Sequence, residues 1–154
     1  MLSIARAPRW YSPLLAAAAV LTVTLRVIPA TAQSSQSVYN PLTITSGQEV
    51  TDTLSTRDIP TGDGGFARDY RVRLEAGDQV AIDLTSEEFD TIVILLKGDG
   101  TKVGENDDGP DGTTNSLLFA RISESGDYIV RVRAFGETGG GVFQLKVTRL
   151  RPVN

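Results

Sequence analysis

The densest set of ligand-type side chains lies between positions 99 and 111, where Asp99, Glu105, Asn106, Asp107, Asp108 and Asp111 are opposed only by Lys102. Carboxylate and amide oxygens on a backbone free to bend at Gly104, Gly109 and Gly112 are the donors that a hard cation such as Ca2+ takes. The spacing is not that of an EF-hand loop. Counted from Asp107, the third position is Gly109, and the twelfth, where a bidentate Glu belongs, is Leu118. The same Asn, Asp and Gly residues also favour solvated turns that hold no metal. Upstream, Glu87-Glu88-Phe89-Asp90-Thr91 opens an apolar run. Asp90 stands where polarity ends, so its carboxylate needs a partner: a cation, Thr91, or turn amides. Asp90, Asn106, Asp107, Asp108 and Asp111 are therefore the candidate metal ligands, and Ca2+ is the candidate ion.

Paired acids can also serve glycoside hydrolysis, but here they crowd one loop with few aromatic residues to stack a sugar. The chain has no His and no Cys, which removes Ser-His and Cys-His nucleophiles and the commonest zinc ligands. Lys97, Lys102 and Lys146 read as turn or solvent-facing residues, and no Ser-x-x-Lys spacing occurs. A carboxylate-dependent hydrolase is thus the least favoured class. Arg71, Arg73, Arg121, Arg131 and Arg133, with Lys146, alternate with apolar residues and are expected on sheet surfaces. A cationic strip of that kind binds an anionic polymer or a protein, or simply guards the sheet against aggregation.

The N-terminus has the pattern of a secretory signal. Arg6 and Arg9 precede an uncharged apolar run from Leu14 to Leu25, and Ala30-Thr31-Ala32 supplies a small-residue cleavage site. Cleavage after residue 32 leaves a protein that is secreted or periplasmic, with no membrane span. Removing Arg6, Arg9 and Arg26 but no acid takes the 15 basic residues to 12 against 19 acids, a net charge of -7. That balance argues against nucleic acid as a partner. Residues 33–46 are Ser/Gln-rich and read as a flexible leader, and 47–151 as one domain.

Within the domain, apolar residues alternate in short runs divided by Gly/Asp turns, and no helical period is sustained. Tyr70, Val72 and Leu74 are expected inward, as are Val80, Ile82 and Leu84, then Tyr128, Val130 and Val132, then Phe143, Leu145 and Val147. The unbroken run Ile92-Val93-Ile94-Leu95-Leu96 predicts a central strand covered on both faces. The stretch after it, up to Leu117, reads as a long polar loop. Leu74 to Val80 and Ile122 to Tyr128 echo each other and read as two similar hairpins. The fold class is all-β, a sandwich or jelly roll of about eight antiparallel strands.

In order, the chain carries Tyr70-x-Val72-x-Leu74, Gly77-Asp78-x-Val80, Phe89-Asp90-Thr91, Gly100, Asn106-Asp107-Asp108, Gly126-x-Tyr128-x-Val130-x-Val132 and Gly141-x-Phe143-x-Leu145-x-Val147. This series resembles the bacterial pre-peptidase C-terminal (PPC) domain family. The resemblance implies a jelly-roll β-sandwich, found beside secreted peptidases, that assists secretion, localisation or substrate binding. Some related collagen-binding modules bind calcium, so it implies metal binding or structural hydrogen bonding for Asp90 and Asn106-Asp107-Asp108. The function expected is that of an exported, non-catalytic accessory module contacting a secreted protein or a polysaccharide surface. The alternative is a structural envelope protein that associates with itself.

Overall fold

The computed structural model describes residues 39–110, 112–136 and 139–150. The expected signal segment 1–32, the start of the leader and Asp111 lie outside the described residues. The larger of two sheets contains β1 (Leu42–Thr43), β3 (Ile59–Pro60), β4 (Phe66–Leu74), β6 (Thr91–Lys97), β7 (Lys102–Asn106) and β9 (Gly126–Ala134). Its order is β1-β4-β9-β6-β7, with β3 also on β4. The smaller holds β2 (Glu49–Leu54), β5 (Gln79–Thr85), β8 (Ser116–Arg121) and β10 (Gly141–Leu150), in the order β2-β10-β5-β8. All described pairings are antiparallel except that of β1 with β4. The fold is an all-β sandwich, as the alternation requires.

The expected inward residues form one core between the sheets: Tyr70, Val72, Leu74, Val80, Ile82, Leu84, Val93, Leu95, Tyr128, Val130, Val132, Phe143, Leu145 and Val147 are all buried. Each such apolar side chain contributes about 1.5–3 kcal/mol on leaving water. At the centre, the Tyr70 and Phe143 rings meet edge-on, with centroids 6.2 Å apart and planes at 78°.

Four features differ from the sequence reading. The domain starts before residue 47: Leu42 and Thr43 pair with Tyr70 and Arg71, and Ile44 is buried. The long polar loop contains β7, whose Val93↔Asn106 and Ile94↔Glu105 pairings make it an edge strand. The run in β6 is covered by a second sheet on one face only, because Ile92, Ile94 and Leu96 point away from the smaller sheet. The two echoing turns are not hairpins but corners, each joining a strand of the larger sheet to one of the smaller. They lie side by side, with Ala76 N–H donating to Ser125 Oγ at 2.9 Å and Gly77 N–H to Ile122 O at 2.8 Å. The first requires Gly77, whose φ of 92° is one that other residues rarely adopt.

A buried polar bridge also links the sheets. Thr91 on β6 is fully buried, with its Oγ1 3.0 Å from Thr114 O and 2.6 Å from Ser116 Oγ on β8; Ser116 Oγ in turn lies 2.7 Å from Thr91 O. Leaving such a group unpaired costs about 1–3 kcal/mol. Thr91→Val is expected to lower the unfolding free energy by about that amount. Combined with Ser116→Ala, it should cost clearly less than the sum of the two single changes, measured in urea. Strict additivity would mean that the two hydroxyls do not act together.

Candidate binding surfaces

The acidic stretch divides into parts with separate partners. Asp99 closes the turn after β6, its Oδ1 accepting Thr101 N–H at 2.9 Å, and this bond holds its carboxyl below the usual range. Glu105 faces Lys102 at 3.4 Å on the exposed edge. Asn106 uses its amide nitrogen, which donates to Asp108 O at 2.7 Å and to Leu117 O at 2.8 Å. With Leu117 N–H donating to Asp108 O at 3.1 Å, it joins the end of β7 to β8. Asp107 and Asp108 are exposed. Asp90 is exposed too, and it is its main-chain carbonyl that accepts Phe135 N–H at 2.8 Å. The neighbouring Thr91 is the buried polar residue.

Among the described residues no three carboxylates converge on one point. Asn106 presents donors, not a metal-facing oxygen, to the groups it touches. Asp111, the fifth candidate ligand, lies outside the described residues. The loop's visible role is to seal the gap between β7 and β8, where Gly104 permits close approach: a Cβ there would lie 3.2 Å from Leu118 Cδ1.

The arginines fall on two faces. Arg71, Arg73, Arg131 and Arg133 share the outer face of the larger sheet, whereas Arg121 and Lys146 are on the smaller. The larger face is not a bare cationic strip, since acids are interleaved with it. Asp69 is buried there with both oxygens engaged: Arg131 Nε and Nη2 each donate at 2.8 Å, and Tyr39 Oη at 2.5 Å. Arg133 reaches Asp63 at 2.9 Å, and Arg73 lies 3.6 Å from Asp127 and 3.7 Å from Glu75. Beside these pairs runs an aliphatic strip. Ile92, Ile94 and Leu96 of β6 are flanked by Ile129 of β9 and by Val103 of β7; Ile94 and Ile129 are buried, Ile92 and Leu96 half-buried, and Val103 is 37% exposed. No strand or helix among the described residues lies over this strip.

Sequence reasoning missed the Asp69 cluster because its members stand at positions 39, 69 and 131. One signal was present: Asp69 stands at the head of the outward pair Arg71 and Arg73 in β4, an acid on a face whose other charges in that strand are basic. A second cluster, on the inner side, joins the sheets. Asp52 of β2 accepts from Tyr70 Oη at 2.8 Å and Arg68 Nη1 at 2.6 Å, and Arg68 also holds Asp58 at 2.8 Å.

Members of these clusters titrate at opposite ends of the pH range, and the Tyr70 phenol, pushed up by burial and by Asp52, acts on the alkaline side together with Tyr39. Burial pushes the Asp52 carboxyl up, but Tyr70, the Thr53 N–H and Arg68 outweigh it and hold it below the ordinary value. A depressed carboxyl stabilises the fold above its unfolded pKa of about 3.9, and that stability is lost as pH falls through the folded value. Tyr39 behaves in the opposite sense. Burial and the bond to Asp69 push its phenol up to about 12. Its contribution is complete below about 10 and is lost as pH rises towards the folded value. Asp52→Asn is expected to flatten the acid limb of stability against pH, and Tyr39→Phe the alkaline limb; unchanged limbs would remove these residues as the cause. In a separate test, Asn106→Ala should destabilise the domain by about 1–3 kcal/mol, equally in EDTA and in calcium. Asp107→Ala and Asp108→Ala should stay within about 0.5 kcal/mol. A calcium-dependent difference among the three would identify the loop as a metal site.

The sequence of residues 67–134, from β4 through β9, matches the family model described as the bacterial pre-peptidase C-terminal domain. No curated protein matches the chain. Among solved structures, the pre-peptidase C-terminal domain of a Bacillus anthracis collagenase aligns with a TM-score of 0.55 at 10% identity, over 71% of this chain and 95% of that one. The periplasmic inhibitor of g-type lysozyme from Aeromonas hydrophila, PliG, aligns with a TM-score of 0.50 at 14% identity, over 72% of this chain and all of that one. The motif series, the two-sheet fold and the matched segment agree: residues 67–134 belong to the bacterial pre-peptidase C-terminal domain family.

Proposed function

We propose that this protein is an exported, non-catalytic binding module that holds a protein surface against the outer face of its larger sheet. The observation that carries this reading is the aliphatic strip of Ile92, Ile94, Leu96, Val103 and Ile129, set beside Arg131 and Arg133 on a face with no second layer among the described residues. Apolar side chains in a rim of arginine are the composition of protein interfaces. A polysaccharide calls for aromatic rings to stack on, and this strip is aliphatic. An anionic polymer calls for unpaired cations, and Arg131 and Arg133 are already engaged by Asp69 and Asp63. Membership of the family supports an accessory role, and the charge and apolar pattern of residues 1–32 supports export, to the periplasm or beyond.

The test places a photo-crosslinking side chain at Val103 in the organism that makes this chain, with a control at Thr51 on the outer face of the smaller sheet. One protein adduct is expected at Val103 and none at Thr51. Purified wild-type protein should compete it away, while a folded Leu96→Glu variant should compete at least about tenfold more weakly. Equal labelling at the two positions, or full competition by the variant, would defeat this assignment.

A further inference from the structure

The sandwich has four edges, and three of them are blunted. One edge of the larger sheet is made of the two-residue strands β1 and β3, the latter with Pro60. The other, β7, carries a register shift together with Lys102 and Glu105. In the smaller sheet, β2 shows Glu49, Thr51 and Thr53 on its outer face, and the Thr53 N–H is taken by Asp52 Oδ1 at 2.7 Å. Short strands, bulges, charges and Pro are the means by which proteins keep edges from pairing.

The fourth edge, β8, has no bulge and no Pro, and over its second half its one charge is Arg121. Leu117 turns its N–H and C=O away from β5, to Asp108 and Asn106. Antiparallel pairing alternates, so Phe119 and Arg121 turn theirs to the same open side. No described residue bonds these groups. The side chains there are as open as the backbone: Phe119 is 64% exposed and Leu150, on β10 beyond β5, 41%. Together with Gln79 and Arg121 they line a shallow surface depression.

We infer that this edge pairs with the same edge of a second copy, β8 against β8, antiparallel about a two-fold axis at Ala120. An isologous contact needs a patch complementary to itself, and this one is. With the axis at Ala120, Phe119 stands opposite the second copy's Arg121 and the reverse, so each pair exchanges two N–H···O bonds and every open group is used. An axis at Phe119 would set Arg121 against Leu117, whose groups are already bonded. The Ala120 register also lays each Phe119 ring beside an arginine on the same face, a cation–π pair. The smaller sheet then runs through the axis as eight strands. Both larger sheets keep their outer faces free, so the dimer presents two copies of the aliphatic strip.

Sedimentation equilibrium of the protein purified from a secreting host tests this. A monomer–dimer equilibrium is expected as concentration rises to about 1 mM. Arg121→Pro removes an N–H that the monomer does not use, at an edge position that tolerates Pro, so it should unfold normally yet raise the dissociation constant at least about tenfold. Phe135→Ala, at a phenylalanine that is 58% exposed elsewhere, should leave the dimer unchanged. The chain has no cysteine, so Ala120→Cys should give a disulfide-linked dimer on oxidation. A monomer at all concentrations overturns the inference, as does a dimer that is indifferent to Arg121→Pro or that fails to cross-link through position 120. None of these readings requires the partner of the larger sheet.

Discussion

Tyr70 places a phenol at the centre of a hydrocarbon core, and much of the sandwich follows from the need to satisfy its hydroxyl. The ring packs edge-on against Phe143, which packs likewise against Phe89 at 6.4 Å, so the side chain has no freedom to swing outward. Its hydroxyl must find an acceptor on the opposite sheet, and Asp52 supplies one from the inner face of β2. A carboxylate drawn that far in needs a cation, which Arg68 provides while also gripping Asp58. Asp58 then fixes the loop after β2 by accepting from Ser55 N–H at 2.7 Å. One phenol thus sets the spacing of two sheets and the shape of a loop, through a network in which each polar group answers the one before it.

The opposite flank solves the same problem without charge. Thr91 and Ser116 bond across the gap in the interior, and Asn106 bonds across it at the surface. A chain without cysteine therefore holds its layers together at both flanks by polar bridges, with the apolar core between them. The acidic loop takes its conformation from this closure. Its acids are exposed because the loop's work is done by the amide of Asn106 and the main chain of Asp108.

What was legible in the sequence was whatever depends on a period of two. The inward residues of β4, β5, β9 and β10 follow from alternation alone, since a strand with one face in a core has no other way to distribute them. β7 was illegible because Lys102-Val103-Gly104-Glu105-Asn106 has no apolar alternation; it is a strand because β6 offers it a ladder. The outward Ile92, Ile94 and Leu96 were misread because a continuous apolar run does not say whether its second face meets protein. The echoing Gly/Asp turns were visible, but a turn motif does not say whether the chain returns within its sheet or crosses to the other. For the candidate site, the sequence shows which residues carry oxygens but not where each one points: Asn106 bonds through its nitrogen to Asp108 O and Leu117 O.

The last described strand, β10, lies between β2 and β5, pairing Leu145 with Val50 on one side and with Leu84 on the other. β2, the first strand of any length, therefore has no neighbour in its sheet until residues 141–150 are present. The smaller sheet cannot zip up from the N-terminus as the chain is made. An emerging chain keeps one half of its core open until residues 141–150 thread into the gap, so the commitment to fold waits on that segment. A domain wired in this way stays pliable for as long as it is incomplete.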